Sequence, residues 1–239
     1  AAGMSPNPTQ PETVGPAAPN RLAFTSAPQT TQAGACSAAA TVQSQDAYGN
    51  VSTVSAATTV TLSAAPPAGF GLYSDAGCTA AVGSATIANG TSTASFYFKG
   101  TAAGSVAVTA AVAGWTAAAQ TETVTPGATD HFTWAPIPSP QGQGVAFALT
   151  VSAVDLYGNL TSFAGTATLS ISPLRPLTCT SGCTSGLTTG AFAAGVWTGS
   201  ASVGGGVTGA TLTATSGAVT GTSAAFDVQG ASSPSPPIA

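Results

Sequence analysis

The sequence contains one domain pattern twice, and this duplication limits the possible folds more than any other feature. TVQSQDAYGN at 41–50 is matched by TVSAVDLYGN at 150–159, which places Asp46 and Asp155 109 positions apart. Towards the end of the repeat, Val124 corresponds to Val228 at an offset of 104. Since the offset drifts so little, the chain is predicted to be a tandem duplication of one domain of about 105 residues.

Each copy is predicted to be all-β. Runs such as TTVTLS, TASFYFK and SVAVTAAV alternate apolar and polar residues and are bounded by Gly, Pro, Asn or Asp. A period of two is typical of half-buried strands, and no segment carries a helical stripe. About seven strands in roughly 100 residues is the size of a β-sandwich. We predict domains at 21–126 and 127–230, a Pro-rich linker at 1–20 and a Pro/Ser-rich linker at 231–239.

Several motifs resemble bacterial immunoglobulin-like repeats of the Big/invasin type. They are an opening LAF strand, the central D-x-Y-G-N turn, a TVTLS strand, a closing VTA hairpin and the stretch LYSDAGCTAAV. The resemblance covers roughly residues 20–230 and implies two tandem Ig-like antiparallel β-sandwich domains. Such repeats occur in secreted and surface proteins, both as adhesin segments and as spacers beside secreted enzymes. The Trp and inter-sheet Cys pair of antibody domains are not evident, so an antibody-type domain is not implied.

The low charge of the chain excludes several classes of function. Only 4% of the residues are charged, the net charge is −4, and Lys and Arg together number three. Three cations cannot neutralise a nucleic-acid backbone or hold an anionic membrane surface. No apolar run approaches the length of about 20 residues that a membrane helix needs. With 44% hydrophobic residues the chain is expected to fold, and its hydroxyl- and amide-rich surface favours an extracellular or cell-surface location.

Four cysteines predict two disulfides, one in each domain. Cys36 and Cys78 lie in the first domain, and Cys179 and Cys183 lie in the second. Three pairings are possible on paper, and pairing within domains is the simplest. The spacing of Cys179 and Cys183 also suits a metal site, but no second pair follows to complete the ligand set. The staples of the two domains occupy different positions, so the two copies have diverged.

The D-x-Y-G-N motif is interpreted as a turn. Gly tolerates positive φ, Asn tolerates the left-handed region, and Asp can cap the turn through its side chain. Tyr48 and Tyr157 are expected to pack against the ends of the sandwiches. The predicted turn residues are Asp46, Gly49 and Asn50 in the first domain and Asp155, Gly158 and Asn159 in the second.

No catalytic constellation is evident. His131 is the only histidine, so a nucleophile–histidine–acid triad has one candidate base, beside the linker between the domains. Asp46 and Asp155 fall in different domains and cannot form the close carboxylate pair of a glycosidase. No cofactor is predicted. A calcium ion at the domain junction, near Glu122 and Asp130, is the weaker alternative, because calcium prefers six to eight oxygen ligands.

The sequence favours a non-enzymatic spacer or adhesive segment of a secreted or cell-surface bacterial protein. Its expected partner is a protein or polysaccharide at the cell surface or matrix, and self-assembly through sheet edges is left open. The alternative is an accessory carbohydrate-binding module of a secreted hydrolase, which requires exposed, aligned aromatics. Trp115, at the turn of the last hairpin of the first domain, is the best single candidate for a partner contact. Irregular Thr spacing argues against an ice-binding surface.

Overall fold

The computed structural model describes residues 13–230, and every secondary-structure element assigned in that range is a β-strand. The predicted linker at 231–239 and most of the one at 1–20 lie outside the described residues. Contacts divide the chain into two compact units, with the main division between Val124 and Thr125. Within the described range, nothing helical is long and apolar enough to cross a membrane. The described part of the chain is all-β and is built from antiparallel β-sandwiches.

The first unit packs a four-stranded sheet, β1-β3-β7-β5, against a five-stranded sheet, β2-β9-β8-β4-β6. The paired strands for which the register is described are antiparallel, as expected for strands joined by short turns. The strands are β1 (Arg21–Phe24), β2 (Thr30–Gln32), β3 (Ala40–Gln45), β4 (Thr58–Ala65), β5 (Phe70–Tyr73), β6 (Ser84–Ile87), β7 (Thr93–Gly100), β8 (Gly104–Ala111) and β9 (Ala118–Thr125).

The second unit repeats this arrangement, with β14-β17-β12-β10 in one layer and β19-β18-β13-β16-β15 in the other. A single parallel pair, His131 with Thr220, joins the layers. Short strands β11 and β20 pair with each other, and β20 also pairs with β18. The strands are β10 (His131–Trp134), β11 (Gln141–Gly142), β12 (Phe147–Val154), β13 (Thr168–Ser172), β14 (Leu177–Ser181), β15 (Cys183–Ser185), β16 (Thr188–Thr189), β17 (Val196–Val203), β18 (Val207–Ser216), β19 (Val219–Thr222) and β20 (Phe226–Gln229).

Alternating side chains build the core of each sandwich, as the sequence period predicts. In β7, for example, Ala94, Phe96 and Phe98 are buried while Thr93 and Ser95 are exposed. Burying one face of each strand is the main source of stability in such a fold, at roughly 25 cal/mol per Å² of apolar surface. The larger buried members of the first core are Leu22, Val42, Val60, Leu62, Leu72, Ile87, Phe96, Phe98 and Val108.

The second core is richer in aromatic rings. Phe132 packs against Phe192 with ring centroids 5.3 Å apart, and Phe147 meets Phe226 edge-on at 5.5 Å. Trp197 is 3% exposed, and its indole N–H donates to the carbonyl of Gly182 at 2.7 Å. A buried tryptophan normally finds such a partner for its N–H, so this side chain belongs to the core.

Both predicted disulfides are present. Cys36 bonds to Cys78 with their Cα atoms 5.7 Å apart, and Cys179 bonds to Cys183 with their Cα atoms 6.3 Å apart. No free cysteine remains. The first bridge ties the β2–β3 connection to the loop after β5, whereas the second links β14 to β15 across a tight loop. The two domains are therefore stapled at different places.

Candidate functional site

The D-x-Y-G-N turn of the first domain is organised around a buried carboxylate. Asp46 is only 1% exposed. Its Oδ1 accepts the backbone N–H groups of Tyr48 and Asn50, both at 2.9 Å, and its Oδ2 accepts the Asn50 side-chain amide at 3.0 Å. Gly49 has φ of +88°, the left-handed conformation that glycine adopts without strain. Asp46, Gly49 and Asn50 thus form a turn in which the aspartate caps backbone N–H groups and the glycine has positive φ.

The turn of the second domain repeats this geometry. Asp155, also 1% exposed, accepts the backbone N–H groups of Tyr157 and Asn159 at 2.9 Å each. The Asn159 side-chain amide donates to Oδ2 of the same carboxylate at 2.8 Å. Gly158 has φ of +85°. The motif thus specifies one three-dimensional arrangement in both copies.

Each buried carboxylate also holds the segment through which the chain enters its domain. Asp46 Oδ2 accepts the backbone N–H of Ala17 at 3.1 Å, and Asp155 Oδ2 accepts that of Gly127 at 2.8 Å. These partners precede their aspartates by 29 and 28 residues. We call this bond, from an aspartate of the D-x-Y-G-N motif to the entering backbone, the aspartate clamp. It extends the motif beyond the local turn that the sequence predicted.

Further bonds reinforce each clamp. In the first domain, the Ser52 hydroxyl donates to the Ala17 carbonyl at 2.6 Å, and the Asn20 N–H donates to Gln45 at 3.0 Å. The second domain has comparable bonds, although Thr161, the counterpart of Ser52, meets Thr129 rather than Gly127. There the hydroxyls of Thr129 and Thr161 lie 2.8 Å apart, and the Asp130 N–H donates to Val154 at 2.8 Å. The end of each entering segment is thus bonded to the domain that follows it.

The hydrogen bonds keep both clamp carboxylates ionised. The Asn50 side-chain amide is the largest influence on the pKa of Asp46 and lowers it; together with the backbone N–H groups that this carboxylate accepts, it outweighs the opposing effect of burial. For Asp155, burial is the largest single influence and raises the pKa, but the bonds from Asn159, Gly127 and Tyr157 together lower it. Both groups therefore have a pKa below the usual value, since accepting several N–H bonds stabilises the charged form.

Asp75 forms a similar but purely local turn in the LYSDAGCTAAV stretch. Its carboxylate accepts backbone N–H groups from Gly77 at 3.1 Å, Thr79 at 3.1 Å and Ala80 at 2.7 Å. The bond from Ala80 is the main reason why the pKa of Asp75 is lowered, against the effect of burial. No bond described for Asp75 reaches beyond residue 80, so this turn is not a clamp.

The expectation that the motif tyrosines pack against the sandwich ends is wrong for Tyr48, which is 86% exposed. Tyr157 is 47% exposed. The turn places its third residue at the tip because Asp and Asn on either side both point inward to the carboxylate network. The hydrogen bonds described for the two turns join the Asp carboxylate to backbone N–H groups and to the Asn amide, and none of them uses a tyrosine phenol.

The residues considered for catalysis or metal binding have ordinary structural partners. His131 forms an exposed pair with its neighbour Asp130 at 2.9 Å. Glu122 is 1% exposed and accepts the Gln29 backbone N–H at 2.6 Å and the Gln120 side-chain amide at 2.7 Å. Among residues 13–230, no three His, Cys, Asp or Glu side chains cluster in a way that would hold a metal ion. In this structure His131, Asp130 and Glu122 act as hydrogen-bond partners of neighbouring residues.

The three tryptophans are tied into the cores to different degrees. Trp115 is partly buried and packs against the first core. Trp134 is partly buried against the second core, and its indole N–H donates to Gly221 at 2.9 Å. With Trp197 buried as well, none of the three presents a fully exposed ring.

Comparison with known proteins gives a likeness of fold alone. No protein-family model matches the chain. No curated protein matches it either. Among solved structures it is similar to domains 4–9 of the surface layer protein SbsC, at 18% identity and a TM-score of 0.34, covering 91% of this chain and 32% of that one. The chain thus spans about a third of that SbsC fragment.

Two further structures are similar at the same level. The Escherichia coli adhesin FdeC has 16% identity and a TM-score of 0.35, with 88% of this chain and 64% of FdeC covered. A β-glycosidase from Bacteroides vulgatus has 11% identity and a TM-score of 0.35, with 85% of this chain and 24% of the enzyme covered. Likeness of this degree does not assign a function, and the resemblance to Big/invasin-type repeats remains a prediction.

Proposed function

We propose that this chain is a non-enzymatic spacer or adhesive segment of a secreted or cell-surface bacterial protein. It acts by holding neighbouring modules at a distance and by contacting protein or polysaccharide, without a resident cofactor. The single observation that carries the proposal is the aspartate clamp, present at the start of both domains. A tandem spacer can hold its neighbours at a distance only if the chain is fixed where it enters each domain. The clamp supplies that attachment.

The disulfides and the surface chemistry support an extracellular role. All four cysteines are paired, as is usual for proteins that fold in an oxidising compartment. Seven acidic and three basic residues leave few ion pairs to be disrupted by changing salt. Stability therefore rests on buried apolar surface, backbone pairing and covalent staples, none of which depends strongly on the ionic conditions outside a cell.

The carbohydrate-binding alternative gains no support from the aromatic side chains. Sugar recognition by stacking requires accessible rings aligned on one surface. The rings of Trp134 and Trp197 donate their N–H groups to backbone carbonyls inside the second domain. Tyr48 is well exposed, but it lies at a turn tip rather than on a sheet face. We therefore retain the spacer or adhesive role.

The proposal is tested in the cell that produces the protein. Antibody against residues 21–230 should label intact cells or the culture medium, and labelling confined to permeabilised cells would contradict the proposal. The encoded segment is then replaced by an unrelated pair of Ig-like domains of equal length. A spacer keeps its function after this exchange, whereas an adhesive segment loses attachment while surface display is unchanged. Chemical turnover by the purified segment itself would instead identify an enzyme.

A further inference from the structure

Within the part of the chain that the structure describes, strand β6 forms a bare sheet edge in the first domain, whereas its counterpart in the second domain is covered. Leu62 donates its N–H to Gly83 beside β6, and Leu169 donates to Leu187 beside β16, so the two strands occupy the same place. In the second domain β15 pairs antiparallel with the outer side of β16, and the disulfide of Cys183 staples β15 in position. In the first domain, β4 is the only strand partner of β6 among residues 13–230, and β6 ends its sheet there.

The hydrogen-bonding pattern shows which backbone groups of β6 face outward. The bond from Leu62 to Gly83 marks a hydrogen-bonded pair, and such pairs alternate along an antiparallel ladder. Ala85 therefore directs its N–H and C=O towards β4. Ser84 and Thr86 direct theirs away from β4, to the open side. Thr188, the counterpart of Ser84, is the residue that pairs with Ser185 of the covering strand.

The bare edge lacks the features that usually prevent strands from pairing between molecules. Natural edges carry charges, prolines or bulges that discourage such pairing. Between Asp75 and Lys99 there is no charged residue and no proline. Ser84 and Thr86 are exposed, and the register of β4 with β6 is continuous over four residue pairs. The edge can therefore accept an extended strand without an electrostatic penalty.

We propose that β6 is a self-association site at which a second copy of this chain adds its own β6 in antiparallel orientation. A two-fold axis through Ala85 places Ser84 opposite Thr86 of the second copy and satisfies all the outward groups of both residues by about four N–H···O bonds. The orientation follows the antiparallel β15–β16 pair, which shows the same edge occupied in the second domain. This inference rests on the proposed extracellular contact role, for which it names a partner.

The occupant is a second copy rather than a charged partner, because the edge offers only neutral main-chain groups and hydroxyls. Pairing of two copies through so few added bonds is expected to depend on the protein concentration. A pair of four-residue strands is weak by itself, so repeated display of the chain on one surface would be needed for strong association.

The first test is sedimentation velocity of the whole chain from micromolar to millimolar concentration. Wild type should shift towards a dimer as concentration rises. Thr86→Lys should abolish the shift, because lysine on an edge opposes strand pairing, while Thr86→Val, which keeps the backbone and β-propensity, should retain it. A wild type that stays monomeric throughout, or a Thr86→Lys variant that dimerises like wild type, would overturn the proposal.

A second test does not depend on a charged substitution. In the proposed pairing, Ala85 faces Ala85 of the other copy in a non-hydrogen-bonded pair, with Cα atoms about 4.5 Å apart, a distance that a disulfide can bridge. Ala85→Cys should form a covalent dimer on mild oxidation, and Ser170→Cys, exposed on the interior strand β13, should not. Equal cross-linking of both variants would contradict the pairing. If the wild type proved monomeric, self-association through β6 would be wrong. The expected surface display and the expected result of the domain exchange, which test the proposed function, would not change.

Discussion

The carboxylate of Asp155 accepts the backbone N–H of Gly127 at 2.8 Å, across 28 residues of sequence. The first domain contains the same relationship between Asp46 and Ala17, at 3.1 Å. In each case the carboxylate is buried and also organises the turn that contains it. One side chain therefore fixes a turn and the incoming chain together, and this dual role leads to specific expectations.

Asp155→Asn should destabilise the second domain by about 1–3 kcal/mol. The substitution places an amide N–H₂ where Oδ2 accepts from both Gly127 and Asn159. The Gly127 N–H then loses its acceptor, and the Asn159 amide keeps only its longer bond to Oδ1 of this side chain, at 3.1 Å. Urea unfolding followed by tryptophan fluorescence measures the loss, since Trp134 and Trp197 both pack in the second core.

Asp75→Asn is the matched control for this substitution. Asp75 accepts a similar number of N–H bonds, but they all come from its own exposed turn. We expect a smaller effect on unfolding from this variant. If Asp155→Asn is no more destabilising than Asp75→Asn, the long-range bond contributes nothing and the clamp has no stabilising role.

The clamps should make stability depend on pH only in acid. The hydrogen bonds lower the folded pKa of Asp46 and Asp155 below the value of 3.8 found for a free side chain. A group with a lowered folded pKa stabilises the fold above its unfolded pKa and loses this contribution as pH falls through the folded pKa. The contribution of these two carboxylates to the urea midpoint should therefore be constant around neutral pH and should decline below about pH 4.

The Asp155→Asn variant isolates this effect, because its side chain does not titrate. The stability difference between wild type and variant should be largest near neutral pH and shrink as the pH falls below about 4. A difference that stays constant down to strong acid would show that protonation of Asp155 does not weaken the domain.

The two disulfides should differ in their contribution to stability. In the chain-entropy description, the Cys36–Cys78 bridge, with a sequence separation of 42, contributes about 4 kcal/mol. The Cys179–Cys183 bridge, with a separation of 4, contributes about 2 kcal/mol. Denaturant unfolding of the paired Cys→Ser variants measures both. Equal losses would show that loop length does not govern the effect.

Trp115→Ala should reduce the stability of the first domain by about 1–3 kcal/mol, because the ring packs against the core of that domain. Tyr48→Ala is the control, since a side chain that is 86% exposed should change stability by less than about 0.5 kcal/mol. Thermal unfolding compares the two. A stable Trp115→Ala variant with impaired attachment would instead return Trp115 to the role of a partner contact.

The periodicity of the sequence was sufficient to predict the β-sandwiches, because side-chain alternation directly reports which face of a strand is buried. The turn motif was also predictable, since Asp46, Gly49 and Asn50 act within five residues of one another. Disulfide pairing within domains followed from the duplication. These features depend on local pattern or on counting, and both are visible in a linear sequence.

The clamp was missed because its partners are 28 or 29 residues apart. A signal was present: PAAPN at 16–20 matches PGATD at 126–130, so the repeat continues into the segment interpreted as a linker. The covered edge at β16 was unpredictable for another reason. It depends on β15, a strand of three residues whose position is fixed by the disulfide rather than by a hydrophobic period.

Amide hydrogen exchange at Gly127 and Ala17, resolved by NMR, tests the aspartate clamp most directly. Because each N–H donates to one buried carboxylate, Asp155→Asn should accelerate exchange at Gly127 and leave Ala17 unchanged, and Asp46→Asn should do the reverse. Slow exchange at Gly127 in the Asp155→Asn variant, at the wild-type rate, would contradict the claim that the carboxylate holds the entering chain.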